Sequence, residues 1–96
     1  MKLIYSKYSQ VTKDEILEYY KLENEIKSLE NVIINDPTIV ETSQSVKIGD
    51  KYYKILKRTS SLFLSTNICI NNMLELYFIY DKDKKLVIIT DIRLSK

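Results

Sequence analysis

The run KLVIITDIRL, residues 85–94, constrains the fold more than any other part of the chain. Its β-branched residues favour extended backbone and fit a pleated surface. Alternation puts Leu86, Ile88, Thr90, Ile92 and Leu94 on one face and Val87, Ile89, Asp91 and Arg93 on the other. Both faces are apolar at the start of the run, so the strand is expected near the middle of a sheet. Towards Arg93 one face turns polar.

A central strand needs neighbours, and the chain supplies them. KLIYSKY (2–8) reads as a first strand. SVKIGDKYY places Gly49-Asp50 between extended runs, which suits a type II′ hairpin. SLFLSTNICI and MLELYFIY flank Asn71-Asn72, a second expected tight turn. DKDK (81–84) is a polar turn, and Asp81 and Asp83 are expected as turn residues rather than metal ligands.

Between the first strand and the hairpin the period changes. VTKDEI reads as a capping box, with Thr12 as N-cap, Glu15 three residues on, and Val11 and Ile16 as a hydrophobic staple. Ile16, Tyr19 or Tyr20, Ile26, Leu29 and Ile33 then recur at helical spacing. Pro37 ends the pattern at Asp36. The helical region runs over about 13–35. It is either one long helix or a helical hairpin bent near KLENE (21–25). The fold class is therefore α+β: one domain over 1–96, with an N-terminal strand, the helical region, then an antiparallel meander of three to five strands.

Composition excludes several chemistries. With no histidine there is no Ser-His-Asp triad and no imidazole ligand. The single Cys69 rules out a disulfide within the chain and reads as a core thiol. One glycine leaves no phosphate-binding Gly-rich loop. No cofactor or metal is expected. No apolar run is long enough for a membrane span, and the opening residues lack a signal-peptide core, so a reducing, cytoplasmic setting is expected.

The segment KYYKILKRTSS (51–61) poses the functional question, because its strand pattern carries cations on both faces. Tyr52, Lys54 and Arg58 share one parity, and Lys57 has the other. Residues 1–43 hold five lysines against eight acidic residues, a balance of −3. Residues 44–96 hold ten basic against five acidic, a balance of +5. Basic residues at Lys51, Lys54, Lys57, Arg58, Arg93 and Lys96 are interleaved with Tyr52, Tyr53, Tyr77 and Tyr80. Cations meet phosphates and phenols stack on unpaired bases, so RNA fits such a surface. The plainer account is solvated lysine beside half-buried tyrosine, both ordinary on sheets.

NDPTIV closing the helical region, GDKYYKILKR, and the pair LELYFIYDKDKKLVIITDIR together resemble the RelE/ParE superfamily of toxin–antitoxin toxins, with MqsR-like features. The resemblance covers roughly 30–96. It implies a metal-independent endoribonuclease acting on mRNA, free or on the ribosome, and held by a small antitoxin protein. Lys54, Arg58, Tyr80 and Arg93 would be catalytic, and Tyr52, Lys57, Tyr77 and Lys96 would bind RNA. The family's arginine before the middle strand falls near Leu74 or Glu75, and Glu75 has the opposite sign. About ten residues, LFLSTNICIN, look inserted. ParE-like members act on gyrase without cutting RNA. The alternative is a non-catalytic inhibitor or binding protein, from a virus or mobile element, that blocks a host protein or nucleoprotein. A homodimer through an exposed edge or the helix is compatible with either.

Overall fold

A computed structural model describes residues 1–38, 41–63 and 71–95. The chain runs β1 (Lys2–Tyr5), α1 (Lys7–Tyr20), α2 (Glu23–Asn35), β2 (Glu41–Ile48), β3 (Lys51–Phe63), β4 (Asn71–Asp81) and β5 (Leu86–Ser95). The strands form one sheet in the order β1-β5-β4-β3-β2. The four later strands are an antiparallel meander, while β1 joins β5 in parallel. The fold is α+β, and the β-branched C-terminal run lies inside the sheet, between β1 and β4.

The helical region departs from the expected start. Ser6, not Thr12, is the N-cap of α1, and its side chain accepts the Ser9 amide. The chain passes from β1 into α1 with no loop, because the Ser6 amide still donates to the Ile89 carbonyl as the strand ends. The fully buried Ser9 hydroxyl donates to that same carbonyl at 2.7 Å. Thr12 is inside the helix and bonds back to the Tyr8 carbonyl. Val11 is exposed, so the hydrophobic staple does not form.

The two helices separate at the KLENE segment. Lys21 takes a left-handed conformation (φ 51°) and its amide closes α1 on the Leu17 carbonyl. Leu22 follows and is buried. Tyr19 and Tyr20, read as members of the apolar stripe, are exposed instead. The break rotates the buried face, so Leu22 takes the position the tyrosines would have filled. Ile26, Leu29 and Ile33 then bury the inner side of α2 as their spacing requires.

Both helices lie on one face of the sheet. Ile16, Leu22, Ile26, Leu29 and Ile33 pack with Leu56, Leu74, Leu76, Phe78, Val87, Ile89 and Ile92. The strand parity of β5 is not continuous. Leu94, Ile92, Ile89 and Val87 lie opposite Leu74, Leu76, Phe78 and Tyr80, so three steps of β5 face two steps of β4 between Ile92 and Ile89. This bulge at Thr90 and Asp91 puts Val87 and Ile89 on the same face as Ile92 and Leu94, against the simple alternation. Thr90 donates to the Tyr77 carbonyl, and the Asp91 carboxylate accepts the Ile92 amide, so polar groups at the irregularity are paired.

Gly49 alone of the Gly49-Asp50 pair has positive φ (64°), as a type II′ turn requires, and Ile48 pairs with Lys51 across it. Asn71 and Asn72 are not a turn: they pair with Phe63 and Leu62 within the β3–β4 ladder. Cys69 and Lys96 lie outside the described residues.

Candidate functional site

The strand pairing divides the expected site residues between the two faces of the sheet. Lys54 and Arg58 share the parity of buried Leu56, and Arg58 lies opposite buried Leu76. They therefore belong to the helix-bearing side, as does Tyr80, which packs against the core. Tyr52 has the same parity and is exposed near the hairpin, with the Lys47 ammonium 5.7 Å from its ring centre. The surface expected from Tyr52, Lys54 and Arg58 is thus on the helix-bearing side of the sheet, not on the face opposite the helices. The physical reason is parity: Leu56 is the β3 residue that the helices cover, and residues two away from it follow.

On the other face three expected residues do meet. Lys57 pairs with Tyr77 in the β3–β4 ladder, and Tyr77 pairs with Asp91 of β5. Arg93 lies opposite Glu75. Ile55, Lys57, Tyr77, Thr90, Asp91 and Arg93 line a cleft of about 460 Å³, within the range of small-ligand sites. The bulge contributes directly, because it turns Thr90 and Asp91 together towards this cleft.

The charges in the cleft are paired. Lys57 lies 3.7 Å from the Glu75 carboxylate, and Arg93 Nε lies 2.8 Å from Asp91 Oδ2. The Tyr77 hydroxyl donates to Glu75 at 3.2 Å. The Arg93 guanidinium and the Lys57 ammonium sit 5.0 and 5.8 Å from the centre of the Tyr77 ring. Asp91 beside Arg93 pushes the guanidinium further above its ordinary range. The ring expected to stack on a base thus already has two cations near it, and those cations already have carboxylates.

Glu75 is the residue that reading for basic positions undervalued. Its place opposite Arg93 was legible only as an acidic residue where the related pattern has arginine. At the far end of the same face the Tyr53 hydroxyl donates to Asp81 at 3.2 Å. Burial, then this bond, raises the Tyr53 phenol above its ordinary range. The Lys84 amide, aided by the phenol, holds Asp81 below the usual carboxylate range. Asp81 thus closes the β4–β5 turn, and the exposed Asp83 lies 3.8 Å from Lys51.

Among the described residues, no three His, Cys, Asp or Glu side chains are arranged to hold a metal ion. Among them, too, no helix is long and apolar enough to cross a membrane. No family model, curated protein or solved structure matches this chain.

Proposed function

We propose that this chain is a non-catalytic binding protein that uses the face of its sheet opposite the helices to engage and block another protein. In this reading it corresponds to those RelE/ParE-type toxins that act on a protein target rather than on RNA. One observation carries the reading: Lys54, Arg58 and Tyr80 lie on the helix-bearing side while Arg93 lies on the other. A phosphodiester cannot touch all four at once. The open-face cations also have carboxylate partners, so a phosphate would have to displace Glu75 or Asp91 or suffer their repulsion. The helical hairpin adds support to the resemblance, since a break in the helical region belongs to that pattern.

The test pairs two measurements on the purified chain. Immobilised protein is exposed to lysate, and the bound fraction is compared with that held by Arg93→Glu. The expected result is a stoichiometric protein that Arg93→Glu fails to retain. In parallel, structured and single-stranded RNA should stay intact. Cleavage abolished by Arg93→Glu would overturn the reading.

A second reading keeps the endoribonuclease, moved to the open face. Lys57, Tyr77 and Arg93 gather around Glu75, which gives a carboxylate to accept a 2′-hydroxyl proton and cations to stabilise a phosphorane. It predicts that Glu75→Gln abolishes cleavage while leaving RNA binding intact.

A further inference from the structure

Three segments far apart in the chain meet at one end of the sheet. The antiparallel order puts the β2–β3 hairpin and the β4–β5 turn at the same end, and the parallel pairing of β1 with β5 brings Lys2 there too. Contacts link them from edge to edge. The Lys2 amide donates to the Lys85 carbonyl, the Lys84 amide donates to Asp81, Asp83 lies 3.8 Å from Lys51, and Lys47 lies opposite Tyr52. Five strands at sheet spacing make this end about 19 Å wide.

The end is cationic. Lys2, Lys47, Lys51, Lys82, Lys84 and Lys85 are all exposed. Three aspartates lie among them. Asp81 is turned inward, where it accepts the Tyr53 hydroxyl and the Lys84 amide, and is 9% exposed. Asp83 is matched by Lys51. That leaves Asp50 beside five lysines that form no ion pair with any described residue. Elsewhere the pattern is reversed: Lys13, Lys57 and Arg93 each have a carboxylate partner.

The tips also carry apolar groups. Tyr52, Met1 and Ile48 are 73%, 51% and 45% exposed. Gly49 holds the hairpin to a two-residue turn, so its tip is narrow. Ile48 shares one side of the hairpin with Lys51, and Tyr52 shares the other with Lys47. Each side thus presents an apolar body next to an ammonium.

We propose that this end of the sheet binds the surface of an anionic membrane, with the hairpin tip seated among the lipid headgroups. The inference goes beyond the protein-binding reading above, and the end shares no residue with the cleft.

A lipid surface matches the charge, the apolar tips and the shape together. Lysine stems can lie along apolar surface while their ammoniums reach phosphate, and the amphipathic ring of tyrosine suits the headgroup level. Each lysine near such a surface contributes about a fivefold gain in binding. The attraction fades within about 8 Å at physiological salt, so only cations at the end that touches count. A single-stranded nucleic acid would meet the same lysines but has no use for aliphatic Ile48 and Met1. It is also tracked by a groove, whereas these turns project outward and both described concavities lie elsewhere.

The test is co-sedimentation of the full chain with phosphatidylcholine vesicles, with and without about 30 mol % phosphatidylserine. The expected result is capture by anionic vesicles roughly tenfold or more tighter than by neutral ones, released near 1 M salt, where the screening length falls to about 3 Å. Lys82→Gln with Lys84→Gln should weaken capture roughly twentyfold. Lys7→Gln with Arg58→Gln removes the same charge about 13 and 23 Å along the strands from this end. That pair should weaken capture by less than about threefold. Ile48→Asp should weaken it roughly tenfold, while Ile48→Leu retains it. Equal capture by neutral and anionic vesicles overturns the proposal, as does equal loss from the two double variants. Unchanged capture of Ile48→Asp overturns it too, because no tip would then be seated. So does a single-stranded oligonucleotide that binds tighter than the vesicles with the same dependence on Lys82 and Lys84, which assigns the end to nucleic acid. Failure here leaves lysate capture through Arg93 untouched, and failure of that capture leaves vesicle binding intact.

Discussion

At the residue scale, individual side chains carry costs and contacts that can be measured one at a time. Lys21 adopts a left-handed backbone that costs an L-residue about 1 kcal/mol. Lys21→Gly should therefore raise stability by about 0.5–1 kcal/mol in denaturant unfolding. A lower midpoint would mean that the lysine side chain contributes more than its backbone costs. Tyr5 donates to Glu30 at 2.5 Å, and the Lys13 ammonium lies 4.3 Å from its ring centre and 3.5 Å from Glu30. Burial first, then the neighbouring carboxylate, hold its phenol well above the usual tyrosine range. The folded pKa lies above the unfolded value of about 10. The stability Tyr5 contributes is full below that pH and is lost as pH rises towards the folded pKa. Tyr5→Phe should cost about 1–2 kcal/mol at neutral pH. It should also flatten the decline in unfolding free energy above about pH 10. An unchanged alkaline slope would remove Tyr5 as its source. None of this network was legible in the sequence, because Tyr5 and Glu30 are 25 residues apart and only the fold joins them.

At the element scale, the bulge of β5 decides both the core and the cleft. It keeps Val87, Ile89, Ile92 and Leu94 on one face and turns Asp91 towards Arg93. Deleting Thr90 removes the extra residue, so Ile89 and Ile92 come to lie two steps apart and Val87, Ile89, Ile92 and Leu94 all keep the core face under plain alternation. The expected loss is therefore small, about 1 kcal/mol, for the hydrogen bond from Thr90 to the Tyr77 carbonyl. Chemical denaturation measures it, and a loss above about 3 kcal/mol would show that the deletion expels apolar side chains from the core. The strand itself was legible from its β-branched run, and the Gly49-Asp50 hairpin from turn chemistry. The bulge was not, because Thr90-Asp91 looks like ordinary alternation until the pairing with β4 is known. The helix start was misread for a similar reason. Thr12 and Glu15 form a good local capping pattern, but β1 hands the chain straight to Ser6, and the Ile89 carbonyl rewards Ser6 and Ser9. Local propensity yielded to tertiary hydrogen bonding.

At the scale of the whole molecule, one sheet face is covered by two helices and the other carries the chain's unusual surface. The architecture was readable because strand and helix periods are strong signals over ten or more residues. Which face would be covered was not, since it turns on Leu56 being buried between Lys54 and Arg58. That single assignment moved Lys54, Arg58 and Tyr80 to the helix-bearing side, away from Arg93. The most direct measurement is transcriptome-wide mapping of RNA 5′ ends after induction of the native chain and of Arg93→Glu in the same cells. Binding without catalysis predicts the same RNA ends in both, even where the native chain arrests growth and Arg93→Glu does not. New 5′ ends that appear with the native chain and vanish with Arg93→Glu would contradict it.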